Sequence, residues 1–200
     1  MLRNETRYLL AAIQALIAGE WIFSGSNKLV SGAFPQGLAD ALSEGIKDNP
    51  NVWYVSWLQA LVVPHSVAFG YLIEFGELAI GLGLLVGALV LVGQPRMAGD
   101  PQHRMYVTLL WGSVVAALGC AFLCVNFHFW IGDGVLPTLS RTHVFDEGID
   151  LDTLMAPLAL VIAVANYAMV AEAQGHRAFA AIRTRVRALA GPTHGATVAR

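Results

Sequence analysis

The chain has 200 residues, of which 56 % are hydrophobic and only 13 % charged. A soluble domain carries about 25 % charged residues, so the composition excludes an ordinary water-exposed globule and points to a lipid bilayer as solvent. The formal net charge of −2 gives no ground for a nucleic-acid partner.

Four runs are apolar and close to the roughly 20 residues that a bilayer core requires. They cover about 8–30, 66–92, 105–131 and 151–173. The first is too long for the apolar part of a cleavable signal, and no small-residue cleavage site follows it, so it reads as a span. The segment 31–64 between the first two runs is more than a linker. Trp53, Tyr54 and Trp57 lead into the apolar stretch 58–63, which ends at Pro64. This predicts a short interfacial or re-entrant helix with its aromatics at headgroup level.

The second run is rich in glycine, and Gly83 and Gly87 form a small-xxx-small pair that permits close helix approach. Pro95, Gly99 and Pro101 break the chain before the third run. Cys120 and Cys124 lie one turn apart within that run. A disulfide inside one helix is geometrically awkward, so they read as small packing residues. Pro157 falls in the first turns of the fourth run, where proline is tolerated. Beyond residue 174 the tail, 175–200, is basic. Phe179, Ile182, Val186 and Leu189 follow an amphipathic helical spacing that suits anionic lipid or a partner subunit.

Basic residues predict the orientation. Arg3, Arg7, Arg96, Arg104, Arg177, Arg183, Arg185, Arg187 and Arg200 fall on one side, against Lys47 and Arg141 on the other. The positive-inside rule then places both termini in the cytoplasm and the two longer, acidic loops outside. The expected architecture is all-α. It is a four-helix transmembrane bundle over 1–174, with a short interfacial helix in the first outer loop and a tail, and it lies in a cytoplasmic membrane.

Ionisable side chains inside the spans are the candidate site. An Asp or Lys at a helix centre costs about 2.5–3.5 kcal/mol on the insertion scale, so such a group faces a partner or a polar cavity. At about 1.5 Å per residue, Glu20, Glu74 and Glu77 fall at one depth. Lys28, His65, Asn126 and His128 form an outer mouth above them. Three carboxyls at one level cannot all be ionised. A protonated carboxyl beside a basic group is what a proton relay or a quinone-head site needs. Either histidine can exchange protons with the outer aqueous phase, or else serve as an interfacial aromatic with a wet tip. A bis-His haem site is a weaker alternative, and no spacing indicates a metal centre, a phosphate loop or a nucleophile triad. The bland alternative for the charged groups is that they pair and merely hold the bundle together.

Gly25-Ser26-Asn27-Lys28-Leu29 resembles the G-x-x-K-L turn of DoxX-like membrane proteins. Phe75-Gly76-Glu77 through Gly87 is similar to that family's E-x-x-x-G-x-x-L-x-x-G core, and Asn126-Phe127 to its N-F element. The likeness covers most of residues 7–130. It implies a four-helix membrane bundle with Lys28, Glu77 and Asn126 at the family's polar positions. It also implies a role as a subunit of a membrane oxidoreductase, such as a terminal quinol oxidase or a thiosulfate:quinone oxidoreductase. Glu20, Glu74 and the basic tail have no place in that pattern. The expectation is therefore an accessory subunit of a larger respiratory or photosynthetic complex, with no cofactor of its own. The alternative is a quinone-binding or proton-relaying subunit. Transport of a small solute is less well supported, because no inverted repeat or broken helix pair is present.

Overall fold

The computed structural model describes residues 4–47, 49–93, 100–132 and 151–189, with the side chains of 100, 151, 152 and 176–189 left out. In order come α1 (Asn4–Ser31), α2 (Phe34–Gly45), α3 (Val52–Trp57), α4 (Ser66–Val92), α5 (Asp100–Ile131) and α6 (Leu151–Leu189). No strand occurs among the described residues. Lipid offers no hydrogen bonds to the backbone, so a segment that crosses it must satisfy its own peptide groups as a helix. Four helical stretches are long and apolar enough to cross: Asn4–Ser31, Val52–Val92, Pro101–Ile131 and Thr153–Gly175.

The four long helices share one pattern. Buried positions on α1 run Arg7, Ala11, Gln14, Ala18, Trp21 and Gly25, at alternating spacings of 4 and 3. On α4 they run Gly70, Glu74, Glu77, Gly81, Leu84, Ala88 and Leu91. This is the seam of an antiparallel bundle, but it is built largely from small and polar residues. Many large apolar side chains, such as Leu16, Phe23, Leu72, Phe75 and Phe122, are exposed and face outward, while Leu84, Leu91, Leu110 and Ile162 are buried. That inversion follows from the solvent, because lipid is as apolar as leucine and helices associate through close packing and polar contacts.

α1 packs along α4, α5 along α6, and α4 against α5 joins the two pairs. Gly81 sets the α1–α4 distance, since a β-carbon there would lie 2.6 Å from Ile22 Cγ1 and 3.0 Å from the Ala18 carbonyl. Both cysteines are fully buried in the core shared by α1, α4, α5 and α6. One polar layer ties all four helices. Gln14 Nε2 donates to Ser113 Oγ and to the Leu84 carbonyl, and Asn166 Nδ2 donates to Ser113 Oγ at 2.9 Å.

Near the N-terminus Arg7 Nη2 donates to the Leu91 carbonyl at 2.5 Å. A guanidinium there caps the last turn of α4 and opposes its dipole. Arg7, expected as a plain basic flank, is therefore buried and structural.

The first connection departs most from expectation. It contains a further amphipathic helix, α2, where the sequence predicts loop. Its Leu38 and Leu42 are buried against α3 and α4. Nor does Pro64 end the following segment. α3 passes into a π-helical turn, Leu58–Val62, and a 3-10 turn, Val63–His65, that leads straight into α4. Proline is accepted because it sits at the first turn, where its missing N–H is not needed. The segment folds back beside α5, where Tyr54 Oη donates to the Asn126 carbonyl at 3.0 Å and Asn49 Nδ2 to those of Phe129 and Trp130.

α5 begins at Asp100, earlier than expected, with Pro101 in its first turn. α6 continues unbroken through the expected tail boundary to Leu189. Gly175 alone does not interrupt an otherwise alanine-rich helical sequence. The amphipathic face of that tail, and the second outer loop at 133–150, lie outside the described residues or side chains.

Candidate functional site

The seam of α1 ends in Lys28, one step beyond Gly25, and the opposing seam of α4 carries Glu77. The two meet. Lys28 Nζ lies 2.8 and 2.7 Å from the two carboxylate oxygens of Glu77 and 2.7 Å from Ser24 Oγ. Glu77 is 1 % exposed and the lysine side chain 22 %. The ammonium also sits 5.2 Å from the centre of the Phe34 ring at the start of α2, a cation–π distance.

This pair forms part of the wall of a chamber of about 330 Å³, within the roughly 300–1,000 Å³ usual for small-molecule pockets. Glu20, Trp21 and Ser24 of α1 line it with Lys28 and Glu77, and Phe127 and Trp130 of α5 close the far side. The rings of Trp21 and Phe127 stack at 6.5 Å, and those of Phe127 and Trp130 tilt together at 6.3 Å.

The hydrogen-bond inventory shows what the chamber still offers. All three N–H groups of Lys28 are engaged, two by Glu77 and one by Ser24. Ser24 Oγ accepts from the lysine and keeps its own proton for a further acceptor. Trp21, only 4 % exposed, has a buried Nε1–H with no partner among the described residues. Trp130 Nε1 is likewise unpartnered, but it lies against Gly45 of α2. Glu20 is exposed along the chamber rim and supplies a carboxyl. The chamber thus holds a hydroxyl, a carboxyl and a fixed ion pair between aromatic walls, and one of those walls, Trp21, carries a buried Nε1–H unpartnered among the described residues.

The other expected site residues are not gathered here. Glu74, one turn from Glu77, is 1 % exposed with Oε1 unpartnered among the described residues, but it is not part of the chamber wall. Asn126 is held elsewhere, with its carboxamide oxygen 3.2 Å from Tyr54 Oη and its Nδ2 donating to the Phe122 carbonyl at 2.7 Å. His128 Nδ1 lies 2.6 Å from Thr153 Oγ1, which pins α5 to α6. His65 is exposed at the N-terminus of α4. The common outer mouth expected from depth therefore does not form. Depth places residues along a helix axis, whereas the azimuth around it sends Asn126 to Tyr54 and His128 to Thr153 and leaves His65 exposed.

Trp21 and Ser24 were missed by the sequence reading. Their signal was present: both lie within one or two turns of Glu20 and Lys28, on the side of α1 that Trp21 shares with the seam. Compared with protein-family models, characterised proteins and solved structures, the chain matches none, so the geometry carries the functional argument.

Proposed function

We propose that the chain is a subunit of a membrane oxidoreductase that holds the head of a quinone in the chamber beside Lys28 and Glu77. The observation that carries this reading is a chamber that sets the Lys28–Glu77 pair, Glu20 and Ser24 among Trp21, Phe34, Phe127 and Trp130, with the Trp21 Nε1–H buried and unpartnered among the described residues. An unpaired donor in a dry site costs about 1–3 kcal/mol, which a ligand oxygen offsets by accepting it. A quinone offers two such oxygens on a flat ring. Trp21 Nε1–H donates to one, and the hydroxyl of Ser24 is available to another acceptor. The ring packs against the wall that Phe127 and Trp130 form together. The Lys28–Glu77 pair gives the site a fixed field without itself being consumed. Glu20, in the chamber wall, supplies a carboxyl that can exchange a proton with the bound head. Quinone chemistry adds electrons and protons together, and the electrons are assigned to a partner subunit. By the positive-inside rule, both termini lie in the cytoplasm and the chamber in the outer half of the membrane.

One observation favours a second reading. Because Lys28 is saturated by Glu77 and Ser24, the pair is also suited to a purely structural clamp. The chain would then be an accessory subunit of a respiratory or photosynthetic complex without a ligand of its own.

Purification in mild detergent, followed by solvent extraction and chromatography of quinones, separates the two. The quinone reading expects near-stoichiometric quinone with the wild type and a several-fold loss with Trp21→Phe, at unchanged thermal stability. Absence of quinone from the native membrane preparation, together with no quenching of tryptophan fluorescence by added benzoquinone, rejects it in favour of the accessory reading.

A further inference from the structure

Beside the chamber, and sharing Phe34, Phe127 and Trp130 with it, runs a larger groove of about 580 Å³ between α4 and α5, roofed by α2, α3 and the π-helical turn. Resting on the headgroup reading above, we propose that this groove seats the hydrocarbon tail of the same amphiphile, so that the ligand is a head-and-tail molecule held along its length. Three observations carry this.

First, the groove offers a ligand almost nothing but apolar surface. Its polar side chains, apart from the indoles, are Tyr54 and Asn126, and these bond to one another and to the α5 backbone. A polar group entering it would lose its water without finding a partner, whereas hydrocarbon loses nothing. Second, its floor is kept open by residues that have no packing duty. Gly76 of α4 and Gly112 of α5 line it, and a β-carbon on either would meet nothing within 4 Å. Other glycines of these helices, such as Gly81, are filled by a neighbouring helix; these two face empty space. Third, the groove shares Phe34, Phe127 and Trp130 with the wall of the polar chamber, and Leu61, Leu72 and Phe122 along it are exposed. A tail whose head sits in the chamber thus has apolar surface beside it that faces the bilayer. The roof includes a π-turn, a form frequent at functional sites. Here it turns Leu58 and Val62 inward to close the groove with Leu38 and Leu42 of α2.

The test uses the full chain in phosphatidylcholine nanodiscs, with binding read by quenching of tryptophan fluorescence. The two probes are a benzoquinone without a side chain and the same ring carrying a decyl chain. Wild type is compared with Gly112→Leu and with Gly76→Leu, each checked for native melting, so that one variant serves if the other fails to fold. Comparing variants on the same probe removes the contribution of partition into the disc. The expected result is that either leucine weakens the decyl probe by about tenfold or more, as displacement of about two buried methylene groups would, and leaves the short probe unchanged. Equal weakening of both probes, or no weakening of either, overturns the tail assignment while the headgroup reading stands. Failure of both probes to bind the wild type overturns the headgroup reading and this one with it. If co-purified phospholipid falls in the leucine variants while decyl-probe affinity holds, the groove belongs to an ordinary lipid chain, which also overturns the proposal.

Discussion

Lys28 and Glu77 are 49 residues apart in sequence, yet the ammonium of one lies 2.7 and 2.8 Å from the two carboxylate oxygens of the other, at the end of the seam between α1 and α4. Burial of Glu77 decides what this contact is worth. Removing the lysine strands a carboxylate that has no water, which costs about 3–5 kcal/mol in buried pairs. The lysine's partial exposure places the expectation near 3. Lys28→Met is therefore expected to lower the unfolding free energy by about that much, and the double change Lys28→Met with Glu77→Leu to restore most of it. Denaturant titration in mixed micelles measures both; a single mutant as stable as wild type would show that the pair does not clamp the helices.

Gly81 controls whether that pair can form. A larger side chain collides with Ile22 and with the Ala18 carbonyl of α1, and overpacking of this kind costs about 1–3 kcal/mol. Gly81→Val is expected to be destabilising by that amount and to separate the two charged groups. Gly19→Ala, on the same helix pair but with open space around its β-carbon, is the control and is expected to be neutral. If both variants melt alike, close approach at Gly81 is not what sets the α1–α4 distance.

Ser113 is the shared acceptor of the polar layer, receiving Gln14 from α1 and Asn166 from α6. All three side chains are fully buried. Ser113→Ala leaves two amide donors without that acceptor, at about 1–3 kcal/mol. The loss is expected as a lower melting temperature in detergent, with the chamber, about two turns further along α1, undisturbed. A loss of ligand binding equal to the loss of stability would contradict this separation.

Tyr54 holds the folded-back segment on α5. Tyr54→Phe keeps the ring stacked on Trp57, at 5.6 Å between centroids, and removes only the hydroxyl that bonds to Asn126. The expected cost is about 1 kcal/mol. Faster amide exchange should be confined to 52–65, with α5 and α6 unchanged. Uniformly faster exchange would mean that the segment is part of the main cooperative unit and not a separately anchored roof.

Much of the membrane architecture was legible from residues alone. Four apolar stretches of spanning length have few other options in lipid, because the backbone must bond to itself. The ionic groups within them were likewise legible as partners-in-waiting, and two of them, Lys28 and Glu77, meet. The seam itself was hidden, since hydrophobic periodicity looks for an apolar stripe, whereas here the buried stripe includes Gln14, Ala18, Gly25, Glu74 and Gly81, while leucines such as Leu16, Leu72 and Leu89 are exposed. Azimuth was hidden for the same reason. The sequence predicts one depth for His65, His128, Asn126 and Lys28, but the rotation of each helix in the bundle puts Trp21 and Ser24, and not His65, His128 or Asn126, in the chamber wall. Composition and span length follow from each residue's own transfer energy. Which groups share a cavity depends on how separate helices rotate to bury small residues against each other, and that is a property of the assembled bundle.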